Sequence, residues 1–230
     1  MLDDSGPLTI TKVTREKDLG VTMDNQLGVT MDNQLNFRTH IGLCVKKANS
    51  MLGIVKRAFY NIGPEIFVDL FKSIVRPHLE YASPVWSPST REEIVLLEGV
   101  QRRGTSKLRG LRGLKYQNRL KKIGLPTLEY RRLRADLIQV YRLFEGIDDL
   151  DIQTIFSLDT GERTRHHPRK IYKGRWKYVL KKDSFQCRVI TQWNQLEYDT
   201  VMAPSLNAFK GRLNIEFRSH PLKFCPSFMH

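Results

Sequence analysis

The sequence predicts a mainly α protein: a helical bundle with a short β element at its N-terminus and a small α(+β) unit at its C-terminus. Three observations lead there. Beyond residue 35, apolar residues recur at three- and four-residue steps instead of alternating. Capping residues, prolines and glycines bound those stretches at helix-like lengths. Of 230 residues, 40% are hydrophobic and 10% aromatic, enough for a packed core and too much for wholesale disorder.

Thr9-Ile10-Thr11-Lys12-Val13-Thr14 alternates and is β-branched, so it reads as a strand. Leu19-Gly20-Val21-Thr22-Met23 is a second short strand. Leu19–Gln26 then recurs without change as Leu27–Gln34. A single adjacent copy is not a solenoid period. Only one copy can take the intended place, so the other must loop out or extend an edge.

A first helix is expected over 36–60, with Asn36 as N-cap and Phe37, Ile41, Cys44, Ala48, Met51, Leu52, Val55 and Phe59 as its stripe. A second starts at Pro64, buries Phe67, Leu70, Phe71, Ile74 and Val75, and is ended or kinked by Pro77. Residues 81–88 form a proline-punctuated connection. Thr90 opens a third helix, with Glu93 completing a capping box and Ile94, Leu97, Val100 and Leu108 inward. Gly99 and Gly104 weaken its interior. A short helix over 116–123 stops at Gly124. A long one over 127–145 carries Tyr130, Leu133, Leu137, Val140, Tyr141 and Phe144 and stops at Gly146.

Residues 169–179 alternate loosely and suggest a hairpin. A helix over 183–196 follows, then a last one capped by Ser205; after Phe217 the tail is expected to fray. The expected organisation is a β segment with its duplication (1–35), a helical domain (36–146), a linker (147–168), a C-terminal helical unit (169–217) and a tail (218–230).

The net charge is +14. Residues 91–145 hold 14 basic and 6 acidic groups, and 161–190 hold 10 and 2, each net +8. Between them, residues 146–160 hold four aspartates and no base. Two positive segments around an acidic joint suit a polyanion such as nucleic acid, or else a solvated basic surface. Arg131, Arg132 and Arg134 sit in the first turns of their helix, at the positive end of its dipole, which favours a nearby anion. A phosphate or an acidic neighbour such as Glu129 would serve.

No apolar run reaches the length of a membrane span. The opening Met1–Pro7 is acidic and polar, so no secretory leader is expected. Cys44, Cys187 and Cys225 are odd in number and far apart, which fits a reducing compartment and gives no disulfide framework.

Nucleotidyl transfer needs closely placed carboxylates for two metal ions. The adjacent aspartate pairs Asp3-Asp4 and Asp148-Asp149 lack the aromatic residue that precedes such a pair in polymerases. No phosphate-binding P-loop and no Gly-x-Ser-x-Gly elbow occurs. His166-His167, and His220 with Cys225 and His230, are poor ligand sets, so no cofactor or metal site is expected.

A set of ordered stretches carries a resemblance. These are Lys17-Asp18-Leu19-Gly20-Val21; Lys47-Ala48-Asn49 with Leu52-Gly53 and Lys56-Arg57; and Val75-Arg76-Pro77-His78-Leu79-Glu80-Tyr81-Ala82 with Val85-Trp86-Ser87-Pro88. Leu97-Glu98 and Val100-Gln101-Arg102-Arg103 continue in register, as does Leu125–Arg132. Phe185, Arg188-Val189-Ile190, Trp193-Asn194, Ala203–Asn207 and Phe209-Lys210 close the set. Across roughly 9–216 the chain resembles the region after the catalytic palm in reverse transcriptases of non-long-terminal-repeat, LINE-like retrotransposons of the jockey and chicken-repeat type.

The resemblance implies RNA-directed DNA polymerase activity in the parent, with magnesium as its metal. It implies a thumb-like bundle here that grips the RNA template and primer duplex. The fingers, the palm with its metal-binding aspartates and the endonuclease domain are not in this sequence, so a truncated copy, inactive alone, is expected. Gly104 stands where the family has a small helix-former, and Glu197 where it usually has proline. On this reading Arg102, Arg103, Lys107, Arg109, Arg112, Arg131, Arg132 and Arg134 contact phosphates of RNA or an RNA/DNA duplex by backbone positioning. Trp86, Tyr116, Trp176 and Trp193 are candidates for stacking on bases, but Trp86 and Trp193 are expected to pack inward, as large aromatics at helical spacing do. The alternatives are a helical interaction module, whose apolar faces meet the missing palm or a second copy, and a relic without function.

Overall fold

A computed structural model describes residues 15–18, 21–24, 37–59, 62–159, 167–174 and 184–229. The molecule is mainly helical. β1 (Arg15–Asp18) and β2 (Val21–Asp24) pair antiparallel, Arg15 opposite Asp24 and Asp18 opposite Val21. The strand expected at 9–14 and most of the duplicated octapeptide lie outside the described residues, as does the expected cap Asn36.

α1 (Arg38–Ala58) buries Ile41, Val45, Ala48, Leu52 and Val55, a four-three-four-three stripe. α2 (Pro64–Leu70) opens on proline and buries Phe67 and Val68. It then widens into a π turn over Phe71–Val75, where the Arg76 N–H reaches back to the Phe71 carbonyl at 2.8 Å. Pro77 explains the widening: its ring crowds the carbonyl four residues back, and the wider turn relieves that clash without breaking the rod. α3 (Pro77–Glu80) follows. Ala82, with φ 52°, turns the chain into α4 (Ser83–Trp86) inside the stretch expected as a connection.

α5 (Arg91–Ser106) begins with the expected capping box. The Glu93 N–H donates to Thr90 Oγ1 at 3.3 Å, and the Thr90 N–H donates to Glu93 Oε2 at 3.2 Å. α6 (Tyr116–Ile123) ends at Gly124, φ 63°, the left-handed stop that glycine supplies cheaply. α7 (Leu128–Phe144) is capped by the Thr127 hydroxyl, which accepts from the Tyr130 N–H at 3.0 Å.

Two apolar cores result. The first joins α1 to α6 and the following loop, from Ile41 through Phe67, Phe71, Trp86, Leu97 and Leu120 to Leu128. The second runs from Tyr130 to Phe217 and gathers Leu137, Val140, Tyr141, Trp193, Phe209 and Leu213. The cores therefore meet at the start of α7, not at the expected joint 147–168. α7, placed by sequence at the end of the first unit, gives nearly its whole stripe to the second. The described part of the expected linker is itself packed. α8 (Ile152–Ile155) precedes the buried Phe156, and Leu158 bridges antiparallel to Ile171. The acidic joint is also paired, since Asp148 accepts from Arg142 and from Gln139, the latter at 2.8 Å. Of the hairpin expected at 169–179, only 169–174 is described, and Ile171 pairs with Leu158.

The helix expected over 183–196 is divided into α9 (Phe185–Arg188) and α10 (Ile190–Asn194). α11 (Tyr198–Val201) and α12 (Leu206–Glu216) follow, the latter capped by Ser205 as expected. The tail does not fray. Its 3₁₀ turns at 217–219, 221–223 and 227–229 return to the first core, with Phe224 packed against it. The Thr127 N–H donates to the Lys223 carbonyl at 2.9 Å, Arg91 to that of Phe228 at 2.7 Å, and the Ser227 N–H to Glu129 at 2.8 Å. Polar partners in the α5 to α7 region, invisible to hydropathy, hold it. Among the described residues no helix is long and apolar enough to cross a membrane.

Candidate functional site

The basic residues singled out by sequence fall into two groups. Arg102 and Arg103 lie on the exposed side of α5, because Leu97, Glu98, Gln101, Gly104 and Thr105 claim its buried side. Beyond α5 the chain reads Leu108-Arg109-Gly110-Leu111-Arg112-Gly113-Leu114, a three-residue repeat. Each unit is one turn: the Leu111 N–H bonds to the Leu108 carbonyl at 3.1 Å, and the Leu114 N–H to that of Leu111 at 3.3 Å. Leu108 and Leu111 point into the first core, and Arg109 and Arg112 point out. Gly110 (φ 76°) and Gly113 (φ 79°) supply the left-handed residue that closes each unit. Lys122 pins the repeat through the Gly110 carbonyl at 3.0 Å. The backbone thus delivers two guanidiniums in equivalent positions.

Lys107, Arg109 and Arg112 line a cleft of about 520 Å³. Lys56, at the end of α1, joins them, with Phe59, Ile62, Phe67 and Leu108 as apolar lining. Sequence reasoning missed Lys56, Phe59 and Ile62 as site residues. The Leu-Arg-Gly repeat was the available signal for the loop; nothing local announces that the end of α1 faces it. The ammonium of Lys56 donates to the Arg103 carbonyl at 3.0 Å. Burial, then Lys107, then Arg103 hold its pKa below the ordinary lysine value. Arg119 donates to the Arg102 carbonyl at 3.3 Å. Cations thus crowd the negative end of the α5 dipole, which favours them there. Arg103 also donates to Asn49 at 3.0 Å. Among the described residues none of Arg102, Arg103, Lys107, Arg109 and Arg112 has a carboxylate partner within ion-pair distance.

Arg131, Arg132 and Arg134 do not join this group. Arg131 grips Glu80 with two nitrogens, its Nη2 at 2.8 Å. Arg134 donates to Asn214 Oδ1 at 2.9 Å. Arg132 is buried, and no phosphate can reach it. The helix-dipole argument for an anion there is answered from within the chain by Glu80, Glu98, Glu129 and Asp136, whose charges all act on Arg132. Among the described residues its two terminal nitrogens nevertheless find no hydrogen-bond partner.

The aromatic candidates resolve inward. Trp86 is fully buried and donates to the Tyr81 carbonyl at 2.7 Å. Trp193, also fully buried, donates to the Arg169 carbonyl at 2.8 Å and stacks on Phe144. The hydroxyl of Tyr116 donates to Glu98 Oε1 at 2.6 Å inside the first core. Trp176 lies outside the described residues. Burial pushes the Glu98 carboxyl up to about 7, against the hydrogen bond from Tyr116, the charge of Arg132 and the Leu128 N–H.

The donor set does not fit the magnesium that the resemblance implies for the parent. Among the described residues no three His, Cys, Asp or Glu side chains gather as a ligand set. Asp148 of the Asp148-Asp149 pair is engaged by Arg142, whose hydrogen bond holds it below the usual carboxylate range. His167 is buried with its Nε2 3.0 Å from the Trp193 carbonyl. The arrangement can bind anions, and among the described residues that line it there is no carboxylate. Comparison of the chain with protein-family models, with curated proteins and with solved structures found no match.

Proposed function

We propose that the chain is the post-palm, thumb and C-terminal region of a LINE-like reverse transcriptase of the jockey and chicken-repeat type. It grips RNA or an RNA/DNA duplex by the phosphate backbone and forms no new bonds itself. The observation that carries the nucleic-acid part is the exposed cationic set Arg102, Arg103, Lys107, Arg109 and Arg112, without carboxylate partners among the described residues and continued by Lys56. Guanidiniums match phosphate oxygens in a fork and release counterions when they bind. Arg131, Arg132 and Arg134 take no part in it. The family part rests on the ordered sequence stretches.

For about six phosphate contacts, the logarithm of the association constant should fall against the logarithm of salt with a slope near −4 for single strands and −5 for duplex. Replacing Arg109 and Arg112 by alanine should make that slope shallower by about 2. A flat salt response, or equal binding to heparin with no change in the variant, returns these residues to an ordinary basic surface.

A second reading is favoured by one observation. Leu43 and Ile54 on α1 and Ile66 on α2 stand 48%, 46% and 55% exposed. Large apolar side chains so placed suit docking on a polymerase palm or on a second copy. A sedimentation mass that rises with concentration, and stops rising in Leu43→Ser/Ile54→Ser, identifies that role.

A further inference from the structure

We infer that the cleft between the end of α1 and the Leu-Arg-Gly repeat takes one unpaired nucleotide of a single-stranded nucleic acid, its base against Phe59 and Ile62 and its phosphates on Lys107, Arg109 and Arg112. The inference rests on the nucleic-acid reading above and narrows it to unpaired strand.

The lining is of two sorts. Phe59, Ile62, Phe67 and Leu108 are apolar; Lys56, Lys107, Arg109 and Arg112 are cationic; no acid is among them. A ligand of phosphate alone would leave the apolar surface unused. A purely apolar ligand would strand four cations. The occupant must combine a flat apolar body with anionic oxygens, as a nucleotide does. The volume, about 520 Å³, lies within the range of roughly 300–1,000 Å³ usual for small-ligand sites. Phe59 is 44% exposed although it ends the apolar stripe of α1, so its ring is offered where a base could stack.

The favoured source is a polymer, because the cations continue past the cleft. Arg102 and Arg103 extend the positive surface along α5, where a lone nucleotide would have nothing to place. Bases within a duplex are stacked and paired, so only an unpaired residue can enter.

The test compares a short oligouridylate with a blunt duplex of equal length, by fluorescence anisotropy at one fixed salt concentration. The native protein should prefer the single strand. Phe59→Ala should weaken single-strand binding about fivefold or more and leave duplex binding within twofold, and Phe59→Trp should restore the preference. Arg109→Ala/Arg112→Ala should weaken both ligands. Equal affinity of the native protein for both, or a preference that survives Phe59→Ala, overturns the base-binding cleft and leaves the backbone grip standing. No salt-sensitive binding of either ligand overturns the grip itself. Displacement of the strand by a short Asp- and Phe-containing peptide, lost in Phe59→Ala, assigns the cleft to a protein partner and likewise overturns the inference.

Discussion

Glu98 is fully buried, and its two oxygens accept from the Tyr116 hydroxyl and, at 3.0 Å, from the Leu128 N–H. Those bonds and Arg132 do not offset its loss of water, so the folded protein keeps the carboxyl protonated up to about 7, while the unfolded chain releases the proton near 4.5. Between those values the native state binds more protons, and its stability falls as pH rises through the window. Glu98→Gln should remove that part of the pH dependence. The amide keeps an acceptor for Leu128 and presents a donor to the Tyr116 oxygen. Urea midpoints at pH 5 and pH 7.5 should converge in the variant; an unchanged difference would show that Glu98 is not its source. Nothing local in the sequence marks Glu98 as buried, because a charged residue in a helix reads as solvent-facing by default. The same blindness placed Arg132 on phosphate. Residue type gave the sign of its charge, and only the packing of α5 against α7 gave its position.

Helices were the legible level. The stripes of α1, α5 and α7, the capping box at Thr90 and the stops at Gly124 and Gly146 follow from periodicity and capping chemistry, which are local. The division of the 183–196 helix at Val189 and the π turn before Pro77 were not predicted, since neighbours decide how a helix yields to local stress. Gly104 shows how close two elements come. A Cβ there would stand 2.9 Å from Phe67 Cζ and 3.5 Å from Leu52. Alanine would gain about 1 kcal/mol of helix propensity, against an overpacking cost of about 1–3 kcal/mol for pressing on a ring buried in the core. Gly104→Ala should therefore lower stability by up to about 2 kcal/mol in chemical denaturation, recovered by Phe67→Leu in the same chain. A gain in the single variant would mean the ring has room to move.

At the scale of the molecule, two apolar cores meet across polar contacts. Glu80 with Arg131 spans them. Arg188 binds Asp136 with two nitrogens, at 2.8 and 2.9 Å, and reaches the Pro84 carbonyl at 2.7 Å. One guanidinium thus ties α9 to α7 and α4. Removing it leaves the Asp136 carboxyl, already pushed up by burial, without the hydrogen bonds and charge of Arg188 that oppose burial, with Arg132 as the remaining cation. Arg188→Ala should cost about 3–5 kcal/mol, and Arg188→Ala/Asp136→Asn clearly less, measured by denaturant unfolding. Equal losses would mean the guanidinium does not act through Asp136. Sequence separation hid this level. Asp136 and Arg188 are 52 residues apart, and the stretch at 147–159 reads as a linker although Asp148 is held by Gln139 and Arg142 and Leu158 bridges to Ile171. The exposed cationic cleft was half legible: its guanidiniums could be read in order, and the end of α1 that completes it could not.

Arg132 is drawn out of water between the cores, and its terminal nitrogens find no bond among the described residues, so this boundary gains by becoming wet. Thermal breathing should therefore begin there and part the molecule along it before either core loosens. Deuterium should replace the amide protons of Leu128 and Tyr130 sooner than those of Gln101 or Val140, although all four sit in helices.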